Sequence, residues 1–108
     1  MKGIGTKISF DQAAQWAEKA VKHDDPFGQA IWGAYLLNVK GKKDEGCKFI
    51  RKSAEAGNPG GLYMLFRCLY YGRGCEANKD EGLKCLEQSS YHGFPDAISK
   101  LQILRRNQ

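Results

Sequence analysis

Asp44-Glu45-Gly46 and Asp80-Glu81-Gly82 stand 36 residues apart at the head of two copies of one helical pattern, and a weaker third copy begins at Asp11, 33 residues before Asp44. A unit of this length cannot bury its own apolar face. Its copies must therefore lean on one another in succession, which commits the chain to a repeat array rather than a closed globule.

The copies align residue by residue. Ala13, Trp16, Ala17, Ala20 and Val21 recur at steps of three and four, as do Gly46, Phe49, Ile50, Ser53 and Ala54, then Gly82, Cys85, Leu86, Ser89 and Ser90. That spacing predicts an amphipathic helix with this stripe as its core face. Small residues hold the first and fourth places in every copy, as expected where a neighbouring helix approaches closely.

A second kind of segment alternates with the first, introduced by Asp25-Pro26, Asn58-Pro59 and Phe94-Pro95. Proline suits the first turn of a helix. Each proline is followed by a stripe: Gly28, Trp32 and Leu36; Gly61, Leu65 and Leu69; Ala97, Leu101 and Arg105. Gly41 and Gly72-Arg73-Gly74 supply turns at which such helices stop. Glu76-Ala77-Asn78 accounts for the longer second period. Gly3, Gly5 and Asp11 precede Gly72, Gly74 and Asp80 by 69 residues, so the chain is expected to start inside a repeat, in an inter-helix loop. Six helices are predicted, at 9–23, 26–38, 43–56, 59–71, 79–91 and 95–105, alternating between B helices (the Asp-Glu-Gly type) and A helices (the proline type). The whole of 1–108 reads as one domain ending in an unpaired, capping helix.

These residues resemble the Sel-1-like repeats, relatives of the tetratricopeptide repeats. Lys52-Ser53-Ala54-Glu55-Ala56-Gly57-Asn58-Pro59 matches the family's most recognisable stretch, Gly72-Arg73-Gly74 and Asp80 match its turn and aspartate, and Trp32-Gly33 and Lys19-Ala20 match more loosely. The resemblance spans nearly the whole chain. It implies an all-α fold, a short right-handed α-solenoid of antiparallel helix pairs containing two to three repeats, and an adaptor or scaffold role in assembly or signalling. The chain departs from the pattern at Phe66, where the family has the glycine that Gly33 retains, so the second helix pair is expected to pack more openly or to turn this ring sideways. Lys42 and Ser89-Ser90 depart too. Ankyrin repeats have a similar period, but their Thr-Pro-Leu-His signature is absent.

No apolar run approaches the length of a membrane span, and Met1 to Phe10 lacks the apolar core of a signal peptide, so a cytoplasmic location is expected. Cys47, Cys68, Cys75 and Cys85 form neither a C-x-x-C pair nor a regular ladder, and they read as reduced structural thiols. Cys75, Cys85 and His92 share a repeat, but their spacing fits no usual zinc pattern and no metal or other cofactor is expected. The two histidines end matching helices, and no nucleophile is set beside a base, so no catalytic residue is assigned and the chain is read as a non-enzyme. Gly3-Ile4-Gly5 and Gly72-Arg73-Gly74 follow no strand and are turns, not phosphate loops.

The formal charge of +5 raises nucleic acid as a partner. The cations are dispersed, however: Lys48, Arg51 and Lys52 alternate with Glu45 and Glu55 at helical pairing distances, the pattern of a solvated face. A protein or peptide partner is expected instead. Opposite the core stripes of the A helices lie Tyr63, Arg67 and Tyr70, with Leu37 (beside Ala30 and Ala34) and with Ile103 and Arg106 (beside Ser99) at matching positions. Because the resemblance puts A helices on the concave side, Leu37, Tyr63, Arg67, Tyr70, Ile103 and Arg106 form the expected partner surface. The competing reading is that the tyrosines cover the adjacent helix pair. A dedicated immunity or secretion-accessory protein is the alternative function, and an enzyme or small-ligand binder using Cys68 or His92 a third. A monomer is expected, the polar dressing of the last helix arguing against end-to-end association through an exposed Trp16 stripe.

Overall fold

The computed structural model describes residues 10–107. Six α-helices follow one another: α1 (Phe10–Ala20), α2 (Pro26–Asn38), α3 (Lys43–Glu55), α4 (Pro59–Tyr71), α5 (Lys79–Tyr91) and α6 (Pro95–Arg106). A short 3₁₀ turn, Val21–His23, continues α1, and no strand occurs among the described residues. With that turn counted as the end of the first helix, predicted at 9–23, the helix boundaries agree with those predicted to within about a residue, because they are set by local chemistry. Asp25 accepts hydrogen bonds from the backbone N–H groups of Phe27 and Gly28, Asn58 from Gly61, and Asn78 from Glu81, while Pro26, Pro59 and Pro95 fill the first turns of the A helices. Gly3 and Gly5, and with them the expected opening loop, lie outside the described residues.

Consecutive helices pack as neighbours, and α2 also packs against α4. The A helices α2 and α4 therefore touch each other, whereas the B helices α3 and α5 are bridged by the Arg51–Glu81 ion pair at 3.2 Å. A row of helix pairs closer along one edge than along the other must curve, with the closer edge inside. The result is an all-α, right-handed solenoid of antiparallel pairs, 41 × 35 × 23 Å in extent.

The core runs along the predicted stripes. Ile50, Ser53 and Ala54 of α3, Cys85, Leu86 and Ser89 of α5, and Leu65 and Leu69 of α4 are all buried. Trp16 is an exception. It is 46% exposed and packs at a tilt against Phe27 at 5.7 Å, and the buried line of α1 is Ala14, Ala17 and Ala20. Ala17 and Ala20 of the predicted stripe are buried, and Ala14 takes the place expected of Trp16.

The departure at Phe66 has a structural answer. In the α2–α3 pair, Gly33 faces Gly46 so closely that a Cβ on Gly46 would lie 2.6 Å from the Gly33 carbonyl oxygen and 2.9 Å from the Leu37 nitrogen. The equivalent contact in the α4–α5 pair is Phe66 against Gly82, where a Cβ would find its nearest atom, the Tyr70 nitrogen, at 3.1 Å. The second pair is more open, and the Phe66 ring, wholly buried, packs among Tyr63, Tyr70 and Tyr71.

Candidate functional site

An apolar groove of about 580 Å³ lies among α1, α2 and α4. Its walls come from three elements: Ala13 of α1, Ile31, Ala34 and Tyr35 of α2, and Met64 and Arg67 of α4. The repeat explains the alignment, since Ile31 and Met64 are 33 residues apart, as are Ala34 and Arg67. Equivalent positions on successive A helices form parallel rows across the inner face. In α6 the same rows are continued by Lys100 and Ile103, 36 residues further on.

One rim of the groove is cationic. Arg67 is exposed there, and a small adjoining hollow between Met64 and Arg67 is closed by Arg73, whose guanidinium donates to Asn38 Oδ1 at 2.7 Å. Among the described residues no carboxylate lines either hollow. At the opposite rim Tyr35 is fixed by stacking on Trp32 at 5.6 Å, by Lys40 over its ring, and by a long hydrogen bond from its hydroxyl to Asp11. An apolar floor with an arginine edge can take aliphatic side chains that neighbour a carboxylate, because a cation in a partly desolvated cleft attracts an anion more strongly than one in open water.

The six residues expected to form a partner surface have different fates. Arg67 lines the groove, and Arg106 and Ile103 are exposed on α6, the latter at 47%. Tyr63 and Tyr70 are half-buried. Tyr63 packs at a tilt against Phe66 and Phe94, and Tyr70 packs on Phe66 with Lys79 over its ring at 5.4 Å. Leu37 is a correction. It is 7% exposed and belongs to the core, as does Ala30, because the open face of α2 is centred about one residue away, on Ile31, Ala34, Tyr35 and Asn38. Met64 was missed for the same reason. Its 33-residue relation to Ile31 was the available signal.

Of the residues weighed for zinc, Cys85 is in the core and His92 is exposed, and no cluster of three metal-ligating side chains occurs among the described residues. No described helix is long and apolar enough to cross a membrane.

Two solved structures share this arrangement. A Sel1 repeat protein from Oxalobacter formigenes superposes with a TM-score of 0.73 at 26% identity, covering 85% of this chain and 71% of its own. Cysteine-rich protein B of Helicobacter pylori superposes with a TM-score of 0.71 at 22% identity, again over 85% and 71%. No family model and no curated protein matches the sequence.

Proposed function

We infer, from the premise that this chain is a solenoid of Sel1-like repeats, that it is a non-enzymatic interaction module which binds a protein or peptide segment along its inner helices. The observation that carries this reading is the groove between Ile31, Ala34, Met64 and Arg67: an apolar trough, open to solvent, on the side where the A helices converge. Apolar surface left open in an otherwise polar chain is typical of a binding site.

The preferred segment presents two or three aliphatic or aromatic side chains with a carboxylate nearby. The former fill the trough and the latter meets Arg67. Ile103 and Arg106 extend the contact along α6 for a longer ligand, and Tyr63 and Tyr70 act by packing on Phe66 of α4. A scaffold role in which two partners are held side by side follows if the trough and α6 are occupied by different segments.

Selection from a displayed random-peptide library tests this reading. Binders enriched on the wild-type chain should carry an apolar-plus-acidic motif and should weaken at least about tenfold, roughly 1.4 kcal/mol, on Met64→Glu and on Arg67→Glu, each verified as helical. Enriched peptides indifferent to both substitutions would place recognition elsewhere and end the proposal.

A further inference from the structure

Three of the four thiols converge on one spot. Cys47 is buried on α3, Cys68 is buried on α4, and Cys75 lies half-buried in the turn between α4 and α5. Cys75 and Cys68 are the thiol neighbours of Cys47, and Cys47 and Cys75 line the same hollow. The turn is pressed onto α3 at this point: a Cβ on Gly74 would lie 2.9 Å from the Lys43 carbonyl oxygen and 3.4 Å from Cys47 Cβ. Cys47 and Cys75, but not Cys68, open into a shallow hollow of about 350 Å³ whose rim holds Asp44, Lys48 and Arg51. All four cysteines are free of disulfide bonds.

We propose that Cys47 and Cys75 form a dithiol site for small anionic disulfides of the glutathione class, which convert the pair into an intramolecular disulfide. Lys48 and Arg51 at the rim meet the carboxylates of such a ligand. Cys75, the more accessible thiol, loses its proton and attacks one sulfur of glutathione disulfide, so that a Cys75–glutathione bond forms and one glutathione thiolate departs. Cys47 then loses its proton and attacks the Cys75 sulfur, expelling the second glutathione thiolate. The two protons released by the cysteines end on the two glutathiones, the protein pair is oxidised by two electrons, and the glutathione disulfide is reduced by two. The product ties α3 to the turn between α4 and α5, clamping two successive repeats together.

The surroundings set the rate. Burial, and then the hydrogen bond that its own S–H donates to Cys47, push the Cys75 thiol up to about 11, with Glu81 of α5 acting in the same direction and Arg51 of α3 against it. Asp44 and Lys48 complete the charged groups around the hollow. Exchange is therefore slow near neutrality and accelerates as the pH rises toward that value.

Purified chain incubated with excess glutathione disulfide at pH 8.5, quenched with acid and mapped by peptide mass spectrometry, decides the matter. The expected product has lost two hydrogens, carries a Cys47–Cys75 linkage, and returns to the starting mass with dithiothreitol. Cys68→Ala should give the same linkage, and Cys47→Ser should accumulate a glutathione adduct on Cys75. A persistent glutathione adduct on the wild type, a Cys47–Cys68 linkage, or no reaction under conditions where the urea-unfolded chain reacts at every cysteine would overturn the proposal.

Discussion

The Ser53 hydroxyl, wholly buried on α3, donates to the Pro26 carbonyl of α2 at 2.6 Å. Ser89 repeats the contact one unit later, donating to Pro59 at 2.7 Å. Each bond pins the end of a B helix to the first turn of the A helix before it, and satisfies a hydroxyl that would otherwise be costly to bury. The serines are thus not weakened alanines of the family pattern but paired polar struts.

Ser89→Ala should lower unfolding free energy by about 1 kcal/mol, the usual net worth of such a bond. Ser53→Val should cost more, since the Ser53 side chain lies directly against Gly61 of α4 and a branched residue there forces the helices apart. Urea denaturation with an unchanged slope would check both.

The two glycine contacts separate by substitution. Gly46→Ala introduces a Cβ against backbone atoms of α2 at 2.6 and 2.9 Å and should destabilise by about 2 kcal/mol, the cost of overpacking less the better helix propensity of alanine. Gly82→Ala has more room and should fall within about 0.5 kcal/mol of neutral. Thermal unfolding of the two variants side by side is the measurement.

Asp24 holds the left-handed position (φ 56°) that Gly57 and Gly93, both at φ 85°, hold in the later copies. An aspartate tolerates this conformation less well than glycine. Asp24→Gly should therefore stabilise the chain by about 0.5 kcal/mol, and Asp24→Val should destabilise it by about 2 kcal/mol, as read from urea midpoints.

Glu81→Gln removes the Arg51 ion pair between successive B helices, whose side chains remain about 40% exposed. The loss should not exceed about 1 kcal/mol and should shrink in molar salt. A salt-independent loss would point to packing at Glu81 rather than to charge.

Alkali should weaken the fold. Burial raises all four thiols, Cys75 to about 11, whereas an unfolded cysteine ionises near about 8.5. Below that pH both states keep their protons and nothing changes. Between it and about 11 the unfolded chain sheds protons that the native chain retains, so stability falls as pH rises. Urea midpoints under reducing conditions between pH 8 and 10.5 should show this decline, and Cys75→Ser should make it shallower.

Helix number, order and ends were legible because each depends on residues within a few positions of one another: an Asp or Asn cap, a proline in the first turn, a stripe at steps of three and four. The openness around Phe66 was legible as well, from a bulky residue standing at a place where Gly33 marks a close approach. The exposed faces were less so. Leu37 stands one residue from the open face of α2, and a shift of one position turns a helix face by about 100 degrees; Trp16 stays half-exposed although its stripe neighbours Ala17 and Ala20 are buried.

From the residue string alone came the period, hence an array of paired helices that curves and offers an inner surface, since repetition at fixed spacing leaves the chain no other way to bury its stripes. Tertiary packing alone decided which rotation each helix adopts, and with it that Ile31, Met64 and Arg67 share one trough and that Cys47 meets Cys75 across 28 residues of chain. Those relations join different helices, and their geometry follows from how side chains interdigitate at distances that no local spacing encodes.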